Sequence, residues 1–246
     1  LHKVKKRRLS CPSCTYADKE ILGVSEGEFK GLTTTISAWA MGNENFGIQC
    51  QVDSYDKILK CLDTVQRYGL CRHAATTVID YAVHLFDEGI ITKGDTDGLA
   101  LRRDYETTCT LIEWMVSGRG IGSILGKGIQ GVATAFGTED REDYFATKST
   151  AVTMDPRLMG FDTTVFEHIV NFKGYHFSVD TPPYDSEHLD KFRQALQRRG
   201  MSDEALSKIM DSPVGFNIGR LTRYSEDWKA LSDSLGFCTQ DPYRGF

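Results

Sequence analysis

A chain of 246 residues with 40% hydrophobic content is long enough to bury a real core, as one large domain or two small ones. Its formal charge of −5, with basic residues beyond the opening "HKVKKRR" scattered rather than gathered with aromatics, argues against a nucleic-acid partner. The apolar runs fall short of the roughly eighteen residues a membrane span needs, and no signal-peptide apolar region follows the basic start, so a cytoplasmic protein without a membrane span is expected.

The chain opens at Leu1 without an initiator methionine and stops at "DPYRGF" directly after a helical pattern, and is expected to be a fragment of a longer protein. From Asp53 onward apolar spacing is mostly helical. "DSYDKILKCLDTVQRYG" has apolar positions at Ile58, Cys61, Leu62 and Val65 and stops at Gly69. "AATTVIDYAVHLFDEG" repeats that design to Gly89, and "DYETTCTLIEWMVSG" repeats it to Gly118. A further helix is expected near Ser123 in "GIGSILGKGIQGVATAFG", and two more in "SEHLDKFRQALQRRG" and "DEALSKIM". A last helix, "SEDWKALSDSLGF", is expected to be capped by Ser225 and to end by Gly236.

Convincing strand alternation is nearly absent, so the fold class is mainly α, as two helical lobes. The proline-containing "VDTPPYDS" (178–186) is the expected break, with a first helical domain over 1–180 and the start of a second over 181–246. The glycine run "GRGIGSILGKG" lacks a preceding strand and a G-K-[ST] ending, which argues against a phosphate loop.

Seven cysteines (11, 14, 50, 61, 71, 109, 238) favour thiols, some metal-bound, over disulfide staples in a chain this large. Cys61 and Cys109, in mid-helix, read as small core residues. "LSCPSCTYADKEIL" places Cys11 and Cys14 at C-x-x-C spacing, which chelates one metal ion or two corners of a cluster. A redox pair needs a βαβ setting that is not visible, and zinc wants a second ligand pair that is missing. A cluster can instead recruit one distant thiol, such as Cys238 in "DSLGFCTQD". Two loop thiols without metal remain the alternative.

"CPSC" followed by Asp18, "QRYGLCRH", "TMDPRLMG", "FKGYHF" and "DSLGFC" fall in the same order as motifs of the aldehyde:ferredoxin oxidoreductase family, which the chain resembles over residues 9 to 242. The resemblance implies the family's two helical domains, without its amino-terminal β domain, and a cytoplasmic, anaerobic oxidoreductase. It implies two cofactors: a 4Fe-4S cluster and tungsten, or molybdenum, held by two pterins. The cluster ligands it implies are Cys11, Cys14, position 18 and Cys238. Position 18 is Asp18, whose carboxylate is a harder donor than the thiolate of the family pattern.

Two copies of a D-x-x-G-L-(C/D) pattern are implied to hold the pterins. One is Gln66, Gly69, Leu70 and Cys71, with Gln66 replacing the acid; the other is Asp233, Gly236, Phe237 and Cys238. His176 in "FKGYHF" matches a histidine near the metal and is the implied proton-transfer residue. For His73, His84, His168 and His188 a structural role is expected, and the "MDPR" turn at 154–157 reads as architectural. Aldehyde-oxidising members keep a glutamate in a P-E-Y-E-T stretch. The corresponding "GEFKGLTTTISAWAMGN" has no acid between Phe29 and Asn43, and this departure resembles class II benzoyl-coenzyme A reductase catalytic subunits. The implied partners are a ferredoxin or ferredoxin-like electron-transfer subunit, an aldehyde or aryl-coenzyme A substrate, and an oligomeric assembly. The contrasting readings are a non-catalytic helical interaction module and a zinc-stabilised helical scaffold.

Overall fold

The computed structural model describes residues 4–12, 17, 19–37, 43–144, 146–147, 150–151, 166, 170, 189–198, 200–211 and 217–236. The chain divides into two compact units, residues 1–153 and 154–246. Among the described residues no helix is long and apolar enough to cross a membrane. The fold is mainly helical.

The first unit opens with an antiparallel meander, β1 (Lys5–Leu9), β2 (Lys19–Gly23) and β3 (Thr33–Ser37), in that order. This sheet was not expected from the pattern, and the reason lies in which residues face the core. Along β3, Thr34 and Ile36 are buried while Thr33 and Thr35 are exposed, so half of the inward face is polar. On β2 the buried positions are Glu20, Leu22 and Gly23, and Glu20 is ion-paired with Lys5. The pleat alternates with a period of two, but hydrophobicity does not follow it.

A π-helical turn, Asn43–Gln49, leads to α1 (Tyr55–Arg67), α2 (Arg72–Asp87) and α3 (Tyr105–Ser117). α1 buries Ile58, Cys61, Leu62 and Val65, the stripe its sequence spacing predicts. Asp104 caps α3 by accepting a hydrogen bond from the Thr107 N–H at 2.7 Å, a contact worth about 1 kcal/mol. The helix expected near Ser123 forms as two, α4 (Gly122–Leu125) and α5 (Gly128–Phe136). The glycine run here serves packing: a Cβ on Gly122 would stand 2.2 Å from the Trp114 carbonyl carbon, so only glycine lets α4 approach α3 this closely. A short hairpin, β4 (Ala146–Thr147) and β5 (Thr150–Ala151), follows.

The second unit packs α6 (Leu189–Arg198), α7 (Asp203–Met210) and α8 (Ile218–Ser234) around Phe192, Leu196, Met201, Leu206, Ile209 and Leu221. The expectation that Ser225 caps the last helix is corrected: Ser225 lies inside α8. Asn217 holds the start instead, its Oδ1 accepting from the Arg220 N–H at 3.0 Å and its carbonyl from the Leu221 N–H at 3.1 Å. The expected break at 178–186 lies outside the described residues.

Candidate cofactor site

α1 ends in a complete Schellman turn. Gly69 has φ +69°, its N–H bonds the Gln66 carbonyl at 3.1 Å, and the Leu70 N–H reaches the Val65 carbonyl at 2.9 Å. No atom lies within 4 Å of where a Cβ on Gly69 would stand, so the backbone rather than crowding requires the glycine. Leu70 packs partly buried on the core. Cys71 follows at once as the N-cap of α2, exposed, with no side-chain capping hydrogen bond.

Gln66 does not project freely from this turn. Its Nε2 donates to the Thr35 carbonyl at 2.7 Å, and its Oε1 accepts from the Thr34 hydroxyl at 3.3 Å. The last turn of α1 is therefore tied to β3, the stretch in which the sequence has no carboxylate.

The second copy shares with the first a positive-φ glycine two residues past its helix end. Asp233 lies in the last turn of α8, and Gly236 follows it at φ +73° with no neighbour crowding its Cβ position. Phe237 and Cys238 lie outside the described residues, as do Cys14, Asp18, His168, His176 and His188.

Cys11 is exposed, just beyond the end of β1. The loop carrying it leaves from Leu9 and returns at Lys19, and these two residues are paired across the ladder. Cys11 therefore stands just past the closed stem of the β1–β2 hairpin.

Behind the Cys71 turn lies a polar cluster that motif reading missed. Asn45, 6% exposed, donates from Nδ2 to Gln49 Oε1 at 3.2 Å, and the same nitrogen is 3.3 Å from His73 Nδ1. The fully buried Thr76 donates to Gln49 Oε1 at 3.0 Å. Burial, reinforced by the charge of Arg72, depresses His73 to about 4, so its ring is neutral near pH 7. The available signal was local: His73 stands two residues beyond Cys71 in "GLCRH". His84 stands with Nε2 2.6 Å from Asp143 Oδ2 and 3.5 Å from Glu88 Oε1. Arg141 binds both carboxylates at 2.7 Å, and fills the role a cation would take there.

The second unit has a cleft of about 680 Å³ between α7 and α8, lined among others by Lys208, Arg220, Arg223 and Tyr224. None of the residues singled out in the sequence lines it.

A family model described as "Aldehyde ferredoxin oxidoreductase, domains 2 & 3" matches residues 1–243. The chain belongs to the aldehyde ferredoxin oxidoreductase family. Among solved structures, a chain of the active-site complex BamBC of benzoyl coenzyme A reductase in complex with 1,5-dienoyl-CoA is similar in fold. The TM-score is 0.71 at 22% identity, over 96% of this chain and 38% of that one. The chain thus spans well under half the length of that relative. No curated protein matches the sequence.

The donor chemistry present fits the family's cofactors. Among the described cysteines, Cys50 and Cys61 are buried and Cys109 is half-buried in the core. Cys11 and Cys71, the two that the motifs assign to cofactors, are exposed at a hairpin loop and at a helix entry. Thiols outside the hydrophobic core, on backbone turns with open approach, are the soft donors an iron–sulfur or tungsten group takes.

Proposed function

We propose that this chain is the helical, cofactor-holding part of a tungsten- or molybdenum-pterin, 4Fe-4S oxidoreductase that reduces an aryl-coenzyme A substrate with electrons from a ferredoxin-like partner. When bound, the pterin-held metal supplies paired-electron chemistry and the cluster a single-electron relay. Cys11 with Cys14, Asp18 and Cys238 would hold the cluster. The Gly69–Cys71 turn and its counterpart at Asp233, Gly236 and Phe237 would face the two pterins. Gln66 serves this arrangement as a positioning residue, since its amide is held by Thr34 and Thr35. His176 is proposed to move the substrate's proton, an imidazole being suited to proton transfer near neutral pH.

The observation that carries the substrate class is the composition of β3 beside the first pterin turn. Aldehyde oxidation needs a carboxylate to activate water or substrate. The strand tied to that turn through Gln66 offers threonines instead. The benzoyl coenzyme A reductase complex, whose chain shares the fold, supports the same direction, and its two-component composition agrees with a partner subunit.

The test uses the full-length protein purified without oxygen. Iron, sulfide and tungsten are measured with the reduced-state EPR spectrum, and turnover is then compared on aryl-coenzyme A thioesters and on aldehydes. About four irons with tungsten, and turnover of the thioester alone, are expected. Aldehyde turnover would return the chain to the oxidising branch, and zinc or no metal would leave a helical scaffold. Cys238→Ala is expected to abolish the cluster spectrum, and an unchanged spectrum would remove Cys238 from the ligand set.

A further inference from the structure

Two thiols that the proposed chemistry does not use face each other across helices far apart in sequence. Cys61 lies on α1 and Cys109 on α3, and their Sγ atoms are 3.8 Å apart. Cys61 is fully buried, whereas Cys109 is partly exposed. The pair therefore joins one residue with some solvent exposure to one shielded from solvent.

We infer that Cys109 and Cys61 are a peroxide-oxidisable pair, Cys109 the attacking thiol and Cys61 the resolving one, closing to a disulfide that ties α1 to α3. Closing from 3.8 Å to a bond of ~2.0 Å requires the sulfurs to approach by about 1.8 Å.

The assignment of roles follows from the surroundings of each sulfur. Cys109 is lowered from its ordinary value chiefly by a hydrogen bond from Cys61, with burial opposing and a further bond from the Tyr105 hydroxyl assisting. Lys60 assists and Glu113 opposes. Cys61 is raised, by the same contact with Cys109 and by burial. Of the two, the more exposed residue is thus the one whose thiol loses its proton more readily. A third thiol, Cys50, is 1% exposed and is pushed up to about 12, chiefly by burial, so it stays protonated. The nucleophile in thiol oxidation is the thiolate, which selects Cys109 among the three.

The chemistry balances with hydrogen peroxide as the oxidant. The Cys109 thiolate attacks one peroxide oxygen and breaks the O–O bond. Its sulfur loses two electrons and becomes a sulfenic acid, while the other oxygen leaves as hydroxide. The Cys61 sulfur then attacks the sulfenic sulfur, forming S–S and breaking S–O. The hydroxide expelled there takes the Cys61 proton. The first hydroxide takes the proton Cys109 lost on ionising, so two thiols and one peroxide yield one disulfide and two waters.

The experiment exposes the full-length, anaerobically purified protein to hydrogen peroxide, quenches it under denaturing conditions with iodoacetamide, and maps the peptides by mass. The expected result is a peptide containing Cys61 linked to one containing Cys109. Alkylation of both should be lost and then restored by dithiothreitol, with Cys50 still alkylated. In Cys61→Ser, which keeps a hydroxyl donor beside Cys109 but cannot form a disulfide, Cys109 should accumulate as a sulfenic acid trapped by dimedone. The unmodified protein decides the matter alone should that variant not fold. Full alkylation of Cys109 after peroxide, a link from Cys61 to Cys50, or a Cys109 oxidised without any cross-link would each overturn the proposal. Pairing of Cys11 or Cys14 after cluster damage gives different peptides and is separately visible.

Discussion

Two helix ends in the first unit have the same hydrogen bonds and opposite surroundings. α1 ends at Gly69, whose N–H bonds Gln66 while Leu70 bonds Val65. α2 ends at Gly89, whose N–H bonds Phe86 at 3.0 Å while Ile90 bonds Leu85 at 2.9 Å. Both glycines have positive φ, +69° and +75°, and neither is crowded. After Gly89 the chain sends Ile91 into the core at 1% exposure. After Gly69 it presents Cys71 to solvent and starts a new helix. A helix-stop glycine is thus a backbone requirement wherever it occurs. What marks one turn as a candidate cofactor contact is the next residue and the strand it is tied to.

The largest effect expected on this contrast is on stability. Ile91→Ala should cost about 2–5 kcal/mol by opening a cavity, whereas Cys71→Ala should change stability by less than about 0.5 kcal/mol. Denaturant midpoints of the intact protein measure both, and a Cys71 variant as unstable as the Ile91 one would erase the distinction. Gly69→Ala and Gly89→Ala should each cost about 1 kcal/mol, because an L residue is strained at positive φ. Only Gly69→Ala should also lower tungsten content, and equal metal loss in both would make the two turns equivalent.

The smallest effect is a pH dependence at His73. Its folded value of about 4 lies below the ordinary 6.5, so between those pH values the unfolded chain binds a proton that the folded chain does not. Stability should therefore fall as pH drops through that window and be insensitive to His73 above it. Thermal midpoints of His73→Gln should lose this slope, and an unchanged slope would assign it to other groups.

Much of the helical layout was legible in the sequence because its signals are local. Ile58, Cys61, Leu62 and Val65 mark one face of α1, and Gly69, Gly89 and Gly118 mark helix ends by a conformation that few other residues adopt. The sheet was not legible, because Glu20 and Thr34 occupy inward positions that a hydrophobic pattern reads as outward. Ser225 looked like a cap, but Asn217 provides the start of α8 and carries the helix through the serine.

By itself the sequence determined where α1, α2 and α3 end and which family pattern the chain carries, since both depend on a few residues in fixed order. Only the tertiary structure decided that Gln66 is bound to β3, that Cys11 and Cys71 face solvent, and that Cys61 and Cys109, 48 positions apart, lie within 3.8 Å. Helix stops follow from backbone conformation within a single turn. Exposure and contact between distant side chains follow from how whole faces pack against one another, which no short stretch of sequence contains.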